Sequence, residues 1–328
     1  MLHVTNGESA AAGLRAARLP GVVLTWDDVL HDGPVPAAVS FNQLRAIRAR
    51  FISDSGWPTF DDALRNFADR DRALEAGLRE EEIVLWFEHD LFDQLQLLQL
   101  LDWFATCELG ATALSLVCDA EYLGPSTPER LAERFPSRVR VTDEQFDLAR
   151  TAWRAFRAGA PTEIETLLAA GTSALPFLGT ALARHLEQFP STVNGLSRTE
   201  QQALERIALG PCTVGDAFTA CADREAAAFL GNLSFAAYVG ALGACTHPLV
   251  LNEHGSSLAA SGPSQGRSFW LTSLRLSDAG GAVLTGKADH VRLNGIDRWY
   301  GGVHLEGDDA EWRWNPHTKR IEHREVER

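Results

Sequence analysis

The chain has 328 residues, more than one hydrophobic core usually organises, and its hydrophobic share of 45% is too high for a disordered chain. Its net charge of −14 is unevenly spread: residues 1–125 hold 20 acidic and 9 basic side chains, 126–190 hold 8 of each, and 191–328 hold 16 and 13. An acidic first part repels a nucleic-acid backbone, and no run of eighteen apolar residues could span a membrane. Met1 to Ala10 lacks the basic-then-apolar order of a secretory signal, and the five cysteines form no C-x-x-C pair. A cytoplasmic protein without a disulfide framework or structural zinc is therefore expected.

Leu2-His3-Val4-Thr5 has strand character and ends in the turn pair Asn6-Gly7. Glu8 to Leu19 is rich in Ala, Leu and Arg and predicts a helix that Pro20-Gly21 stops. Val22 to Trp26 is a second short apolar run, which completes a β-α-β unit at parallel-crossover spacing. Asp27 to Pro36 predicts a polar loop, and Ser40–Ile52 and Phe60–Leu78 predict helices. Ile83 to Phe87 is continuously apolar, as a strand buried on both faces requires. A helix with Leu91, Leu95, Leu98 and Leu101 on one face follows, and then a fourth strand, Ala113 to Val117. Residues 126–190 predict helices: Thr127-Pro128 is a start signal, and Thr142-x-x-Gln145 and Thr162-x-x-Glu165 have capping-box spacing.

Gln188 to Asn194 predicts a linker. Beyond it come a capped helix from Ser197, a short helix over Thr213–Ala220 and a longer one from Asp223 to about Gly243. Strands are expected at Leu249–Asn252 and Ser268–Leu276 around a Gly/Ser-rich loop, and a small β tail at Val291–Leu293, Gly302–Leu305 and Glu311–Trp314. The expected class is α/β. It comprises a Rossmann-like parallel-sheet domain (1–125), a helical segment (126–190), and a winged-helix-like α+β domain with a β tail (191–328).

Ligands of open parallel sheets bind outside the carboxyl ends of the strands, so the residues after each strand are the candidates. Asn6, Gly7 and Ser9 precede a helix whose first N–H groups attract anions; the alternative is a plain turn in which Asn6 or Ser9 caps the helix. Asp27, Asp28, His31, Asp32 and Gly33 follow the second strand, and Asp119 the fourth. Glu88-His89-Asp90-x-x-Asp93-Gln94 follows the third and places Glu88, His89, Asp90 and Asp93 as candidate catalytic or metal-ligating groups. A helix cap by Asp90, with Glu88 and His89 solvated, is the competing reading. A divalent-metal site from Asp28, His31, His89 and Asp90 stays open, as does a role for Arg48 as counter-charge to an anionic ligand or as a surface salt bridge. The helix expected to read DNA holds Arg224 and then almost no basic residue, so a protein partner fits the last part better than DNA.

Three blocks carry a resemblance. His3-Val4-Thr5-Asn6-Gly7-x-Ser9, Trp26-x-Asp28-Val29-Leu30-His31-Asp32-Gly33-Pro34 and Trp86-Phe87-Glu88-His89-Asp90-Leu91-Phe92-Asp93-Gln94-Leu95 resemble the signature blocks of a bacterial family, domain of unknown function eighteen thirty-five, over about the first 125 residues. The run from Gly295 to Leu305 is similar to a tail that accompanies that domain. The resemblance implies a bacterial cytoplasmic protein and brings no activity, cofactor or catalytic residue. Two expectations remain: a strand-end pocket for a small anionic, phosphate-bearing or nucleotide-like ligand with metal-assisted phosphoester hydrolysis, or a ligand-sensing regulator or adaptor.

Overall fold

Residues 1–56, 58–258 and 266–324 are described by a computed structural model. The first layer is built from β1 (Leu2–Thr5), α1 (Glu8–Ala16), β2 (Val22–Thr25), β3 (Gly33–Pro34), α2 (Phe41–Asp54), α3 (Phe60–Gly77), β4 (Glu82–Phe87), α4 (Leu91–Phe104) and β5 (Ala113–Cys118). The middle helices are α5 (Pro128–Arg134), α6 (Asp143–Phe156), α7 (Thr162–Ala170) and α8 (Leu178–Leu186), with a two-residue strand β6 (Val139–Arg140) between the first two. A mostly parallel five-stranded sheet runs β2-β1-β4-β5-β6, with only β6 antiparallel to its neighbour.

The continuous apolar run in β4 is buried on both faces, as its composition requires. Alternate side chains serve different layers. Ile83, Leu85 and Phe87 join the core under α4, α6 and α8, while Val84 and Trp86 pack with Ala10 and Leu14 of α1 and Leu131 of α5. Trp86 Nε1 donates to His3 Nδ1 at 3.0 Å, and the other His3 nitrogen meets the Pro20 carbonyl at 3.1 Å, which assigns the imidazole proton to Nε2. α4 is buried nearly all round rather than along one stripe, because the sheet lies on one side and α6 and α8 on the other.

The second body comprises α9 (Arg198–Ala208), β7 (Cys212–Thr213), α10 (Val214–Ala222), α11 (Asn232–Ala244), β8 (Val250–Asn252), α12 (Arg267–Trp270), β9 (Ser273–Leu276), α13 (Asp278–Leu284) and α14 (His290–Asn294). Its three-stranded antiparallel sheet runs β7-β9-β8, and its core extends from Leu196 to Val283. The chain then returns to the first layer through β10 (Ile296–Gly301), β11 (Val303–Gly307), β12 (Trp312–Asn315) and β13 (Arg320–His323). β10 pairs with β3 by the register Tyr300–Gly33, and Tyr300, Val303, Leu305 and Ile321 share one core with Leu2 and Val4. No helix among the described residues is long and apolar enough to cross a membrane.

Several expected elements differ. Asp223–Gly231 is not helical: α11 starts at Asn232, so Arg224 lies off it. Val291–Leu293 belongs to α14, with Asp289 capping Arg292 N–H and Gly295 ending it. Ser268–Trp270 is helical, and β9 begins only at Ser273; the middle of the Gly/Ser-rich loop, 259–265, lies outside the described residues. The capping boxes of Thr142 and Ser197 form, but that of Thr162 does not: Thr162 is the first residue of α7 after the N-cap Pro161, and Glu165 accepts the Ile321 N–H at 2.8 Å. Gln188 to Asn194 is not a free linker. Phe189 stacks on Tyr300 at 4.4 Å, Trp314 donates its backbone N–H to the Pro190 carbonyl, and Thr192 donates to Trp314.

Candidate functional site

β1 has β2 on one side and β4 on the other. The crossover through α1 packs on one face of the sheet and the one through α3 on the opposite face, so a crevice opens between the carboxyl ends of β1 and β4. Asn6 leaves β1 at this point and Glu88 leaves β4. Asn6 Nδ2 donates to Asp93 Oδ2 at 2.7 Å, and the Glu88 N–H donates to Asp93 Oδ1 at 2.7 Å, so Asp93 bridges the crevice. Asp90 is the N-cap of α4 and accepts the Asp93 N–H at 3.1 Å. Glu88 Oε1 accepts the Leu123 N–H at 2.6 Å, which ties the cluster to the loop after β5. Gln94 Nε2 donates to the Glu88 carbonyl at 2.7 Å and fixes the strand end.

One oxygen from each of Glu88, Asp90 and Asp93 lies within 4.8 Å of the others, and all three residues are buried. Burial and mutual repulsion work in the same direction. Asp90 is pushed up to about 7, chiefly by burial and further by the Glu88 charge. Burial, then Asp90 and Glu88, raises Asp93 well above the ordinary carboxylate range. Burial also raises Glu88, held back by the hydrogen bonds from Leu123 and Asn6. The helix-cap expectation holds only in part: Asp90 does cap α4, but Glu88 is buried rather than solvated. His89 is not in the carboxylate cluster; its ring lies 5.0 Å from Tyr122 and 5.9 Å from Phe177.

Gly7 has φ 153° and ψ 178°, a backbone region essentially reserved to glycine, and a side chain there would meet no atom within 4 Å. No side chain caps α1. The expected cap by Asn6 or Ser9 does not form, because the Asn6 amide is turned to Asp93 and Ser9 Oγ lies 3.5 Å from the Gly124 carbonyl. The start of a nine-residue helix is therefore uncapped beside the carboxylates.

The loop after β2 is organised differently from expectation. Arg48 is buried and gives both Nε and Nη2 to Asp28, the latter at 2.7 Å. Its remaining N–H groups go to the carbonyls of Asp32, Val29 and Pro34. It is neither a ligand counter-charge nor a surface salt bridge; it is the internal strut of this loop. Gly33 sits in β3 with φ 76°, where a side chain would come within 2.5 Å of the Phe51 ring. His31 is buried between the edges of Phe92 and Phe229, at 5.9 and 5.3 Å. Asp28, His31, His89 and Asp90, left open as a metal site, are not brought together: Asp28 is held by Arg48, His31 lies among aromatic rings, and Asp90 groups with Glu88 and Asp93. Asp27 is exposed and lines a cavity of 700 Å³ with Asn66, Arg70 and Phe92. Asp119 accepts the Glu121 N–H at 2.8 Å and shapes its own turn.

Two participants gave no sequence signal. Leu123 acts through its backbone, and Tyr122, whose hydroxyl donates to the Ala228 carbonyl at 3.1 Å, joins the strand-end loops to the second body. No family model matches this chain, and no curated protein matches it.

Proposed function

We propose that the crevice between β1 and β4 binds a divalent cation together with a small phosphate-bearing ligand, and that the protein acts on that ligand as a metal-assisted phosphoester hydrolase. The carrying observation is the cluster of Glu88, Asp90 and Asp93, three buried carboxyl groups at the topological switch point. Three neighbouring buried anions are unfavourable unless protons or a cation neutralise them. An all-oxygen donor set fits a hard ion such as Mg²⁺, Mn²⁺ or Ca²⁺. Such an ion would offset the acidic surroundings that otherwise repel a phosphate. Asn6 orients Asp93, and the uncapped start of α1, with no side chain at Gly7, leaves backbone N–H groups and space for the phosphate. The resemblance to domain of unknown function eighteen thirty-five belongs to this reading: its three blocks contain Asn6, Asp28 and Asp93, but it contributes no activity.

The test is thermal unfolding with Mg²⁺, Mn²⁺ and Ca²⁺, followed by assays on 4-nitrophenyl phosphate. A cation at about 100 times its dissociation constant adds roughly 2.7 kcal/mol. That gain should vanish in Asp93→Asn and Asp90→Asn, and turnover should vanish with it. A wild-type protein indifferent to all three ions sinks the cation; a cation shift without turnover sinks the hydrolase.

A second reading, a ligand-responsive regulator or adaptor, is favoured by one observation: the second body touches the strand-end loops through Tyr122–Ala228 and Tyr238–Asp32. A winged-helix-like order of elements fits this body. Since α11 contains no basic residue, this reading takes a protein partner over DNA.

A further inference from the structure

A cavity of 830 Å³ lies away from the carboxylate cluster, where α2, β3, α11 and β10 meet. Its size falls within the range of small-molecule pockets. Four distant segments build it: Gly33 and Pro34, Ile47 and Phe51, Leu233 and Ala237, and Trp299. Its floor is fixed, with the Tyr238 hydroxyl donating to Asp32 and the Arg298 guanidinium 4.8 Å from the Tyr238 ring centroid. The Trp299 ring lies flat on His304 at 4.4 Å and 5°, so its position is set before any ligand arrives.

Three of the charged side chains around this cavity have a polar partner, while Arg50 and Asp54 have no ion-pair partner among the described residues. Asp32 is held by Tyr238, Arg298 by Glu200 at 2.8 Å, and Asp297 by His304 at 2.8 Å. Arg50 has no carboxylate partner among the described residues, and its guanidinium is parked 4.1 Å from the Phe60 ring centroid, where Phe60 also lines the cavity. Arg50 is exposed, and a contact with the Phe60 ring leaves its N–H groups available to an anionic acceptor. Asp54, one turn further along α2, is exposed at the rim and makes no ion pair with Arg50.

We propose that this cavity binds a small organic anion whose apolar body lies against Phe51, Leu233, Ala237 and Trp299 and whose anionic group meets Arg50. The ligand touches both α2 of the first layer and α11 of the second body, so it clamps the two together. This site is independent of the cation reading: its residues are different, and its ligand needs no metal.

The experiment is isothermal titration of the full-length protein, without divalent cation, with 2-naphthoate, 2-naphthyl phosphate and neutral 2-naphthol. At least one anion should bind with a dissociation constant below about 1 mM, and at least tenfold more tightly than 2-naphthol. The tighter of the two anions separates a carboxylate from a phosphate ligand. Arg50→Ala should weaken binding at least tenfold, Ala237→Trp should weaken it at least tenfold by placing an indole where the apolar body of the ligand lies, and Asp54→Asn should tighten it by removing a rim charge of the wrong sign. Thermal unfolding of each variant checks that it is folded. If neither anion binds wild-type protein below about 1 mM, or if Arg50→Ala and Ala237→Trp bind as wild type does, the proposal is overturned.

Discussion

Asn6 and Asp93 stand 87 positions apart in the chain and meet at 2.7 Å across the gap between β1 and β4. Asp93 is fully buried, so the amide is one of the few donors its carboxylate can find. Removing a donor from a buried acceptor costs about 1–3 kcal/mol. Asn6→Ala is therefore expected to lower the urea midpoint without changing the denaturant slope, and to lose more at pH 8 than at pH 5. Equal losses at both pH values would show that the amide does not bear on the charge of Asp93.

The carboxylate cluster and the buried histidines set opposite pH slopes. Asp90 lies near 7 when folded and lower when unfolded, so its stability contribution is full at about pH 4 and is lost as pH rises through 7. His185 is fully buried between Phe156 and Phe189 and pushed down to about 3. Its contribution is full above about pH 6.5 and is lost as pH falls towards 3. A tenfold difference in proton affinity between the folded and unfolded chain is worth about 1.4 kcal/mol. Denaturation midpoints from pH 4 to 8 should therefore fall less towards alkaline pH in Asp90→Asn, and less towards acid pH in His185→Phe. Wild-type slopes in both variants would show that these groups titrate normally in the fold.

Arg48→Met leaves Asp28 buried without its partner, and breaking a buried pair in this way costs about 3–5 kcal/mol. Replacing both members by apolar residues often restores stability. Here it should not, because Arg48 also serves the carbonyls of Asp32, Val29 and Pro34, which would be stranded. Chemical denaturation of Arg48→Met alone and combined with Asp28→Leu decides: full recovery in the double variant would reduce Arg48 to a simple ion-pair partner.

Gly302 crosses the end of α6 so closely that a side chain would sit 1.9 Å from the Arg157 carbonyl, and at Gly301, with φ 63°, it would sit 2.3 Å from the Phe156 carbonyl. Backbone atoms cannot yield as a flexible side chain would. Gly302→Ala should release the β10–β11 hairpin, seen as faster amide exchange at Val35, which donates to the Gly301 carbonyl. Unchanged exchange there would mean that the end of α6 moves aside at little cost.

The parallel sheet was legible because its signals are local: an unbroken apolar run at Ile83–Phe87, a turn pair at Asn6-Gly7, and spacing that suits a crossover. The strand-end rule then placed Asn6, Glu88, Asp90 and Asp93 correctly as neighbours. What stayed hidden was decided by distant partners. Ala226-Ala227-Ala228 favours a helix by propensity, but Tyr122 takes the Ala228 carbonyl and Phe229 packs on His31. Arg48 looked exposed because helix spacing alone does not tell which face another loop covers. The cavity at Arg50 draws on four separate segments, and no local pattern announces such a convergence.

The pairing of Gly33 with Tyr300 also bears on the order in which the chain can be assembled. Synthesis starts at the N-terminus, so the loop that Arg48 supports emerges long before the strand that completes it. Until residues 296–323 have left the ribosome, the β3 edge is unpaired and the apolar surface reserved for Tyr300, Val303 and Leu305 is bare. A fragment ending near residue 125 therefore lacks the partner of the β3 edge and leaves that apolar surface uncovered.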